Sequence, residues 1–235
     1  MKNGVRDDFR RLLSNVARHK EESSSTPLLR RARKSSLTPL LVCVLLAGCS
    51  ALTRQAPVRE TFLLDPPKPP PVAQSRPGTL RVGAINVAAP FRGKTFVYRV
   101  GDLRFESDYY VEFFVSPSTM LADQTARALE QAKPFARIAG PGTSADAQWV
   151  LDGFSSALYA DRREAGKPAA VIDITYYLTP AVQMEQTPVW THEYHERVPM
   201  RDASAGAYAE ALNRAFGEIL AALSRDLAAA QLPKS

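Results

Sequence analysis

The sequence predicts an α/β domain in which a mixed, largely antiparallel sheet is packed by two main helices. Residues 169–179 alternate apolar and polar side chains, the period-two pattern of a strand with one buried face. Apolar residues recur at helical spacing over residues 117–133 and again over residues 203–231. Because strand patterns stand on both sides of the first helical segment, helices and strands are expected to share one core.

The strands that precede the first helix are short. Residues 80–87 alternate around Ile85, and residues 95–100 follow a turn at residues 91–94. Further strand candidates are residues 103–105, 109–115 and 135–139. These segments continue the strand series up to the first helix and beyond it.

Four acidic residues occur among these strands, namely Asp102, Glu106, Asp108 and Glu112. At strand spacing they form the solvated face of a hairpin, and the opposite face is apolar. The apolar residues are Leu103, Phe105, Tyr109 and Val111. We therefore interpret the four carboxylates as surface groups and not as a catalytic acid pair.

The start of the first helix has a clear signal. Ser116 is a typical N-cap residue, and Pro117 suits the first helical position because its missing amide has no partner there. Three longer strand candidates follow the helix, at residues 148–159, 169–179 and 189–199. They predict an antiparallel meander. Exposed edge strands can pair between copies of a chain, so both a monomer and a homo-oligomer are compatible with this pattern.

The second helix, predicted over residues 203–231, carries one apolar stripe. The stripe consists of Tyr208, Leu212, Phe216, Ile219, Leu223 and Leu227. The opposite side of this helix is mixed in charge and not basic, unlike a helix that lies on a membrane. We therefore interpret the stripe as a surface that packs against the sheet.

The positive charge of the chain lies in one segment. The 235 residues carry a formal net charge of +6 and a sequence pI of about 9.4. Residues 1–36 hold ten basic and four acidic side chains, which accounts for the whole excess. The remaining residues are neutral overall. A neutral body offers no electrostatic footprint for a phosphate backbone, so nucleic acid is not an expected partner.

An apolar run at residues 37–48 follows the basic segment. A membrane-spanning helix needs about 20 apolar residues, so this run is too short to cross a bilayer. A basic segment before a short apolar run is typical of a secretory signal peptide. The residues Leu46-Ala47-Gly48-Cys49 resemble the bacterial lipobox, in which signal peptidase II cuts before the cysteine. The alternative is a plain secretory signal or an uncleaved anchor, in which Cys49 is only a small apolar residue.

The lipobox resemblance implies cleavage between Gly48 and Cys49 and a diacylglycerol group on the Cys49 thiol. The other cysteine, Cys43, leaves with the leader, so no disulfide and no cysteine metal site is expected. Two or three acyl chains on one cysteine hold a protein firmly to a membrane. Ser50 is not the aspartate that resembles an inner-membrane retention signal, which favours an outer-membrane location facing the periplasm.

We accordingly expect a single domain after a lipoprotein signal peptide. We expect a basic leader with the signal peptide at residues 1–48 and the α/β domain at residues 79–232. Between them, residues 49–78 hold the lipidated N-terminus and a proline-rich spacer, with a short strand near residues 61–64. The prolines of residues 66–71 favour an extended polyproline conformation. This segment is either a stalk above the lipid surface or a surface loop that joins the short strand to the domain.

Chemically reactive patterns are scarce. His192 and His195 superficially resemble a zinc-protease helix, but that motif needs histidines four residues apart. Their flanks predict a strand, which would place the two imidazoles on opposite faces. Phosphate-binding and nucleophile-elbow motifs do not occur in the sequence. We expect no metal, no cofactor and no enzymatic activity.

Several segments resemble those of one known family. They are Cys49 of the lipobox, Phe62-Leu63-Leu64, Leu80-Arg81-Val82, Phe96-Val97-Tyr98-Arg99, Tyr109-Tyr110-Val111-Glu112-Phe113 and the proline-initiated helix of residues 117–129. In this order they are similar to the ABC-type transport auxiliary lipoprotein family. Family members often have a tryptophan and two prolines where this chain has Phe114-Val115-Ser116-Pro117.

The resemblance implies an accessory lipoprotein of an MCE-type lipid transport system that links the inner and outer membranes. The expected partners are an MCE-domain protein, the ABC permease and ATPase of the same system, and the membrane that holds the lipid anchor. Tyr98, Arg99 and Tyr110 are the candidates for a docking or lipid-contact surface. Alternatively, Tyr98 and Tyr110 are half-buried sheet residues with their hydroxyls at the rim.

Two other classes of function are compatible with these patterns. One is an outer-membrane assembly lipoprotein that serves lipopolysaccharide or β-barrel insertion, and the other is an enzyme that acts on envelope polymers. Genes for an MCE protein, a permease and an ATPase beside this gene would favour the transport role. Joint alanine substitution of His192, Glu193 and His195 would test the enzyme.

Overall fold

The computed structural model describes residues 58–143, 146–181 and 187–233. The predicted leader, the lipobox and Cys49 lie outside the described residues. The strands are β1 (Glu60–Phe62), β2 (Arg76–Val87), β3 (Thr95–Arg99), β4 (Phe105–Phe113), β5 (Phe135–Ala139), β6 (Trp149–Asp161), β7 (Ala169–Pro180) and β8 (Trp190–Pro199). The helices are α1 (Pro117–Ala132) and α2 (Ala205–Ala229), with a short 3-10 helix at Ala89–Phe91. Among the described helices, none has the length and apolar character needed to cross a membrane.

One mixed sheet of eight strands organises the described residues. Strand β6 pairs along its whole length with antiparallel β7, which in turn pairs with antiparallel β8. On its other side, β6 pairs with parallel β2 over its first half and with parallel β3 at its last two residues. The sheet therefore forks, with β5 beside β2 on one branch and β4 and β1 beside β3 on the other. The predicted α/β class, the meander and the two helices are confirmed.

Both helices pack on the same face of this sheet. Along β7, Ile172, Ile174 and Tyr176 are fully buried, while Asp173 and Thr175 between them are only partly covered. Contacts of α1 with β2 and of α2 with β7 and β8 enclose the core on the buried side. Neither α1 nor α2 packs on the opposite side, and we call it the helix-free face, although the short 3-10 helix at Ala89–Phe91 adjoins it.

The hydrophobic core belongs to one compact unit, Ala56–Ser235. All buried residues of the core cluster fall between Leu64 and Leu227. A chain that begins at Cys49 therefore contains every core residue that the structure describes.

The ends of α1 follow the sequence signals. The Ser116 hydroxyl accepts a hydrogen bond from the Thr119 amide at 3.4 Å, and Pro117 occupies the first turn. At the other end, Lys133 takes the left-handed conformation with φ of 56° and its amide donates to the Leu129 carbonyl. The helix end then leads directly into β5.

The hairpin of β3 and β4 differs from the prediction. Val111 is buried, but Leu103, Phe105 and Tyr109, which were expected on the buried face, are 96%, 43% and 70% exposed. Between the β3–β4 pairs Val97↔Ser107 and Thr95↔Glu112 the register shifts. Extra residues in β4 therefore interrupt the alternation, which places Phe105 on the same face as its partner Arg99.

The proline-rich segment packs on the domain instead of standing away from it. We call residues 64–72 the proline strap. The Leu64 carbonyl accepts from Gln124 Nε2 at 2.8 Å, and the Asp65 amide donates to Asn213 Oδ1 at 2.6 Å. At its far end, the Val72 amide donates to the Ala132 carbonyl at 2.8 Å. The loop interpretation of this segment is therefore the correct one, and the stalk interpretation is wrong.

Candidate functional site

The helix-free face carries an arginine among aromatic rings. The Arg99 cluster consists of Arg99 from β3, Phe105 from β4, Tyr159 from β6 and Phe91 from the 3-10 helix. The guanidinium carbon of Arg99 lies 5.6 Å from the Phe105 ring centroid and 6.0 Å from that of Tyr159. The three ring centroids lie 5.6 to 5.9 Å from one another. These distances allow cation–π attraction and aromatic packing at the same time.

The Arg99 guanidinium is held by oxygen atoms that carry no full charge. Its Nη2 donates to the Asp102 carbonyl at 2.9 Å, and its Nη1 donates to the Tyr159 hydroxyl at 3.4 Å. No carboxylate pairs with it among the residues that the structure describes. Phe105 beside it is 43% exposed. This arrangement can receive a carboxylate, a phosphate or a protein surface, because arginine and aromatic side chains suit such contacts.

Tyr98 does not lie on this surface. As the neighbour of Arg99 in β3 it points to the opposite side, where it is 5% exposed and its ring lies 6.4 Å from that of Tyr208. The Arg162 guanidinium stacks over its ring at 3.4 Å, and its hydroxyl donates to Asp108 Oδ2 at 3.4 Å. Burial raises the pKa of Tyr98. The three candidate residues Tyr98, Arg99 and Tyr110 are therefore not brought together.

Tyr110 lies at the edge of the sheet instead. It is 45% exposed, and its ring contacts that of Tyr109 edge-on at 5.2 Å. Its amide donates to Asp108 Oδ1 at 2.9 Å, which supports the irregular stretch of β4. Tyr110 is thus available for a contact, but at a place apart from Arg99.

The two histidines of β8 lie on opposite faces, as the strand prediction required. His192 is paired with Tyr176, on the helix side, and stacks on Trp190 with the ring centroids 5.9 Å apart. His195 is paired with Asp173, on the helix-free face, with Nδ1 at 3.2 Å from its carboxylate. In the described part of the chain, no cluster of three metal-binding side chains occurs.

A charged group beside the Arg99 cluster was missed by the sequence analysis. Asp161, at the end of β6, is 2% exposed, and its Oδ2 accepts from Arg163 at 2.8 Å and from Arg197 at 2.7 Å. The hydrogen bond from Arg163, followed by smaller effects that include Arg197, holds the pKa of Asp161 well below its usual range despite burial. Arg163 also pairs with Asp102 at 3.2 Å. Through Arg163, this charged group holds the β3–β4 loop at Asp102, whose carbonyl accepts the hydrogen bond from Arg99. In the sequence, the run Asp161-Arg162-Arg163 was the only signal of this charged group.

A cavity of about 850 Å³ opens elsewhere on the helix-free face, between β2, β6 and β7. Its walls include Arg81, Asp152 and Tyr177. Asp152 Oδ1 accepts from the Ala84 amide at 2.9 Å, and an added Cβ at Gly83 would lie only 2.2 Å from this oxygen. The carboxylate is thus used to hold β2 to β6, and glycine is required where it crosses.

Comparisons with known proteins establish the fold. No family model matches the chain, and no curated protein matches it. Among solved structures, the chain is similar to the protein XCC0632 of Xanthomonas campestris, of family DUF330. The TM-score is 0.63 at 17% identity, over 72% of this chain and 95% of that one. The structure of an uncharacterized protein has a TM-score of 0.56 at 14% identity, over 72% and 99% of the two chains.

A weaker likeness is found to the lipoprotein GNA1162 of Neisseria meningitidis. It has 9% identity and a TM-score of 0.36, over 66% of this chain and 100% of that one, which is too distant for an inference. The first two likenesses, at low identity, show a shared fold and nothing further. The chain thus has the fold of a DUF330 protein.

Proposed function

We propose that this chain is a non-enzymatic, lipid-anchored periplasmic protein of the outer membrane that serves as an accessory component of an ABC/MCE-type lipid transport system. Its Cys49 would carry the lipid anchor, and its domain would bind the MCE-domain protein of the system. The MCE-domain protein would in turn connect it to the ABC permease and ATPase. The lipobox and the family resemblance of the aromatic segments support the anchor and the system. The similarity in fold to a DUF330 protein is compatible with this role.

The observation that carries the docking role is the Arg99 cluster on the helix-free face. Protein interfaces are enriched in arginine and aromatic residues, and their centres exclude water from such groups. Arg99 offers a guanidinium without a carboxylate partner among the described residues, beside the partly exposed Phe105 ring. An acidic or carbonyl-rich surface with an apolar centre would fit it.

The docking role is tested with a purified MCE-domain protein from the same organism. We expect the chain from Cys49 to bind it. Arg99→Ala should raise the dissociation constant by about tenfold or more, as for a central interface residue. Arg127→Ala is the control, because Arg127 is exposed on α1 and away from the sheet. An equal loss in both variants, or no binding by the wild type, would count against this surface.

The anchor is tested by metabolic labelling with a radioactive fatty acid. The full chain should incorporate the label, and Cys49→Ser should abolish it because serine lacks the thiol that would carry the diacylglycerol group. Label that persists in Cys49→Ser would rule out lipidation at this residue.

The absence of a catalytic step is tested separately. In cells that depend on the transport system, a chain with alanine at His192, Glu193 and His195 should complement as well as the wild type. Loss of complementation by a folded triple variant would favour an envelope enzyme.

A further inference from the structure

Five exposed apolar side chains lie on the paired strands β1 and β4 and their ends. We call them the edge patch, and they are Val58 (84% exposed), Leu63 (57%), Tyr109 (70%), Tyr110 (45%) and Phe114 (64%). Single exposed apolar residues are common on protein surfaces, but a group of five on one pair of strands indicates a contact surface.

The pairing of the two strands brings these residues together. β1 runs parallel to β4 with Glu60 opposite Val111 and Phe62 opposite Phe113. The Phe114 amide donates to the Phe62 carbonyl at 2.8 Å. Leu63, which follows β1, and Phe114, which follows β4, therefore lie at the same end of the strand pair. At about 3.3 Å per residue, the patch is roughly 17 Å long from its tyrosines to Phe114.

The core side of the same strands explains why the patch is exposed. Val111 and Phe113 are 9% and 2% exposed because they face the core. Tyr110 and Phe114 alternate with them and therefore point to the other face, where they are exposed.

Basic side chains border the aromatic rings. The Arg59 guanidinium lies 5.6 Å from the Tyr109 ring centroid, and its Nη1 pairs with Glu112 at 3.3 Å. Lys94 Nζ donates to the Phe114 carbonyl at 3.1 Å. Aromatic rings flanked by lysine and arginine are characteristic of side chains that lie at the level of lipid headgroups.

The position of the expected anchor selects the occupant of the patch. Cys49 precedes Val58 by nine residues, which can reach at most about 30 Å even when fully extended. The edge patch is thus held close to whichever bilayer carries the Cys49 lipid. A tethered surface needs little intrinsic affinity, because the tether raises its local concentration.

We propose that the edge patch lies in the headgroup layer of the membrane that holds the Cys49 lipid, and so fixes the orientation of the domain on that membrane. This inference rests on the anchor of the proposed function and adds a second, non-covalent membrane contact to it. The Arg99 cluster lies at the first residue of β4 and the patch on its second half. The two surfaces therefore share no residue.

The test uses the chain from Cys49, which contains every core residue that the structure describes and has Cys49 as its only cysteine. Its thiol is coupled to a maleimide lipid in vesicles of phosphatidylethanolamine and phosphatidylglycerol, with or without bromine on the upper acyl carbons. Tryptophan fluorescence of Phe114→Trp is measured after subtraction of the wild-type signal from Trp149 and Trp190. We expect brominated lipid to lower this emission about twofold or more, since interfacial side chains reach the acyl boundary.

The matched control is Phe154→Trp. Phe154 is also a partly exposed aromatic residue, at 40%, but it lies on β6, which β3 and β4 separate from β1. Its emission should not respond to bromine. A second reporter, Tyr109→Trp, serves if Phe114→Trp does not give the circular dichroism spectrum of the folded wild type.

The possible outcomes separate the two proposals. Equal quenching at the patch and at Phe154, or none at either patch position, overturns membrane contact by the patch. A change in emission with protein concentration in the absence of vesicles would assign the patch to contact between copies and also overturns it. Chemical coupling supplies the tether, so a failure of fatty-acid labelling in cells would remove the natural anchor without altering this measurement.

Discussion

Two buried tyrosines differ in one contact. Tyr176 on β7 and Tyr208 on α2 are both 0% exposed. The Tyr176 hydroxyl forms a hydrogen bond with Thr125 Oγ1 at 2.9 Å, whereas that of Tyr208 has no partner within the described residues. A buried polar group without a partner keeps its desolvation cost, so removal of the two hydroxyls should have opposite effects.

We expect Tyr176→Phe to lower the free energy of unfolding by about 1 kcal/mol, because it also leaves the Thr125 hydroxyl without its partner. Tyr208→Phe should leave the free energy of unfolding unchanged or raise it by up to about 1 kcal/mol. Urea unfolding at neutral pH measures both. The prediction fails if Tyr208→Phe is the more destabilising of the two.

Asp161 makes the free energy of unfolding depend on pH in the acidic range. The hydrogen bonds from Arg163 and Arg197 stabilise its ionised form in the folded protein, and its pKa is lowered. This contribution is complete above the unfolded pKa of about 3.9 and is lost as the pH falls below that value toward the lowered native pKa.

Asp161→Asn should therefore cost about 2 kcal/mol at pH 7, where charged hydrogen bonds to a residue only 2% exposed are lost. Below about pH 4 its stability should fall less steeply than that of the wild type. Urea unfolding over a pH series gives both quantities. If the free energy of unfolding falls equally steeply below pH 4 in both proteins, Asp161 is not the titrating group.

At the scale of elements, the proline strap shows how one segment closes the helix layer. Pro67 lies against Gly217 in the middle of α2, where an added Cβ would lie 2.8 Å from the proline Cδ. Gly206, near the start of the same helix, has no atom within 4 Å of such a Cβ among those described. The two glycines thus separate helix propensity from packing.

We expect Gly206→Ala to raise the free energy of unfolding by up to about 1 kcal/mol through helix propensity. Gly217→Ala should instead lower it by about 1 kcal/mol or more, because the rigid proline ring must move and overpacking outweighs propensity. Thermal unfolding of the two variants under one condition makes the comparison. Stabilisation by both alanines would mean that the strap does not pack on α2 in solution.

At the scale of the whole described domain, the sheet, both helices and the strap share one hydrophobic core. Leu64 of the strap is 2% exposed, and it belongs to the same cluster as residues of α1, α2 and β7. A domain with a single core of this kind is expected to unfold in one cooperative transition.

Leu64→Ala should therefore lower the midpoint of that single transition, at a cost of about 2 to 4 kcal/mol, without creating a second one. Its neighbour Leu63, 57% exposed, provides the control, and Leu63→Ala should change the stability by less than about 0.5 kcal/mol. Far-ultraviolet circular dichroism and tryptophan fluorescence should follow the same curve. An early transition seen by only one of the two probes would show that the strap folds apart from the core.

Much of the fold was predictable because its signals are local. The N-cap at Ser116, the alternation of β7 and the stripe of α2 are each contained within one element. The candidate site was predictable only in part. Arg99 was identified, but Phe91, Phe105 and Tyr159 come from other elements and meet it only when the sheet forms.

The sequence by itself determined the order and type of the elements and the opposite placement of His192 and His195, because each of these depends on the spacing of neighbouring residues. Tertiary structure alone decided which surfaces stay open. The β3–β4 register shift exposed Tyr109, and the helices covered Tyr98 but not Arg99. Exposure depends on which element packs over a strand, and that is set by contacts between residues far apart in the chain.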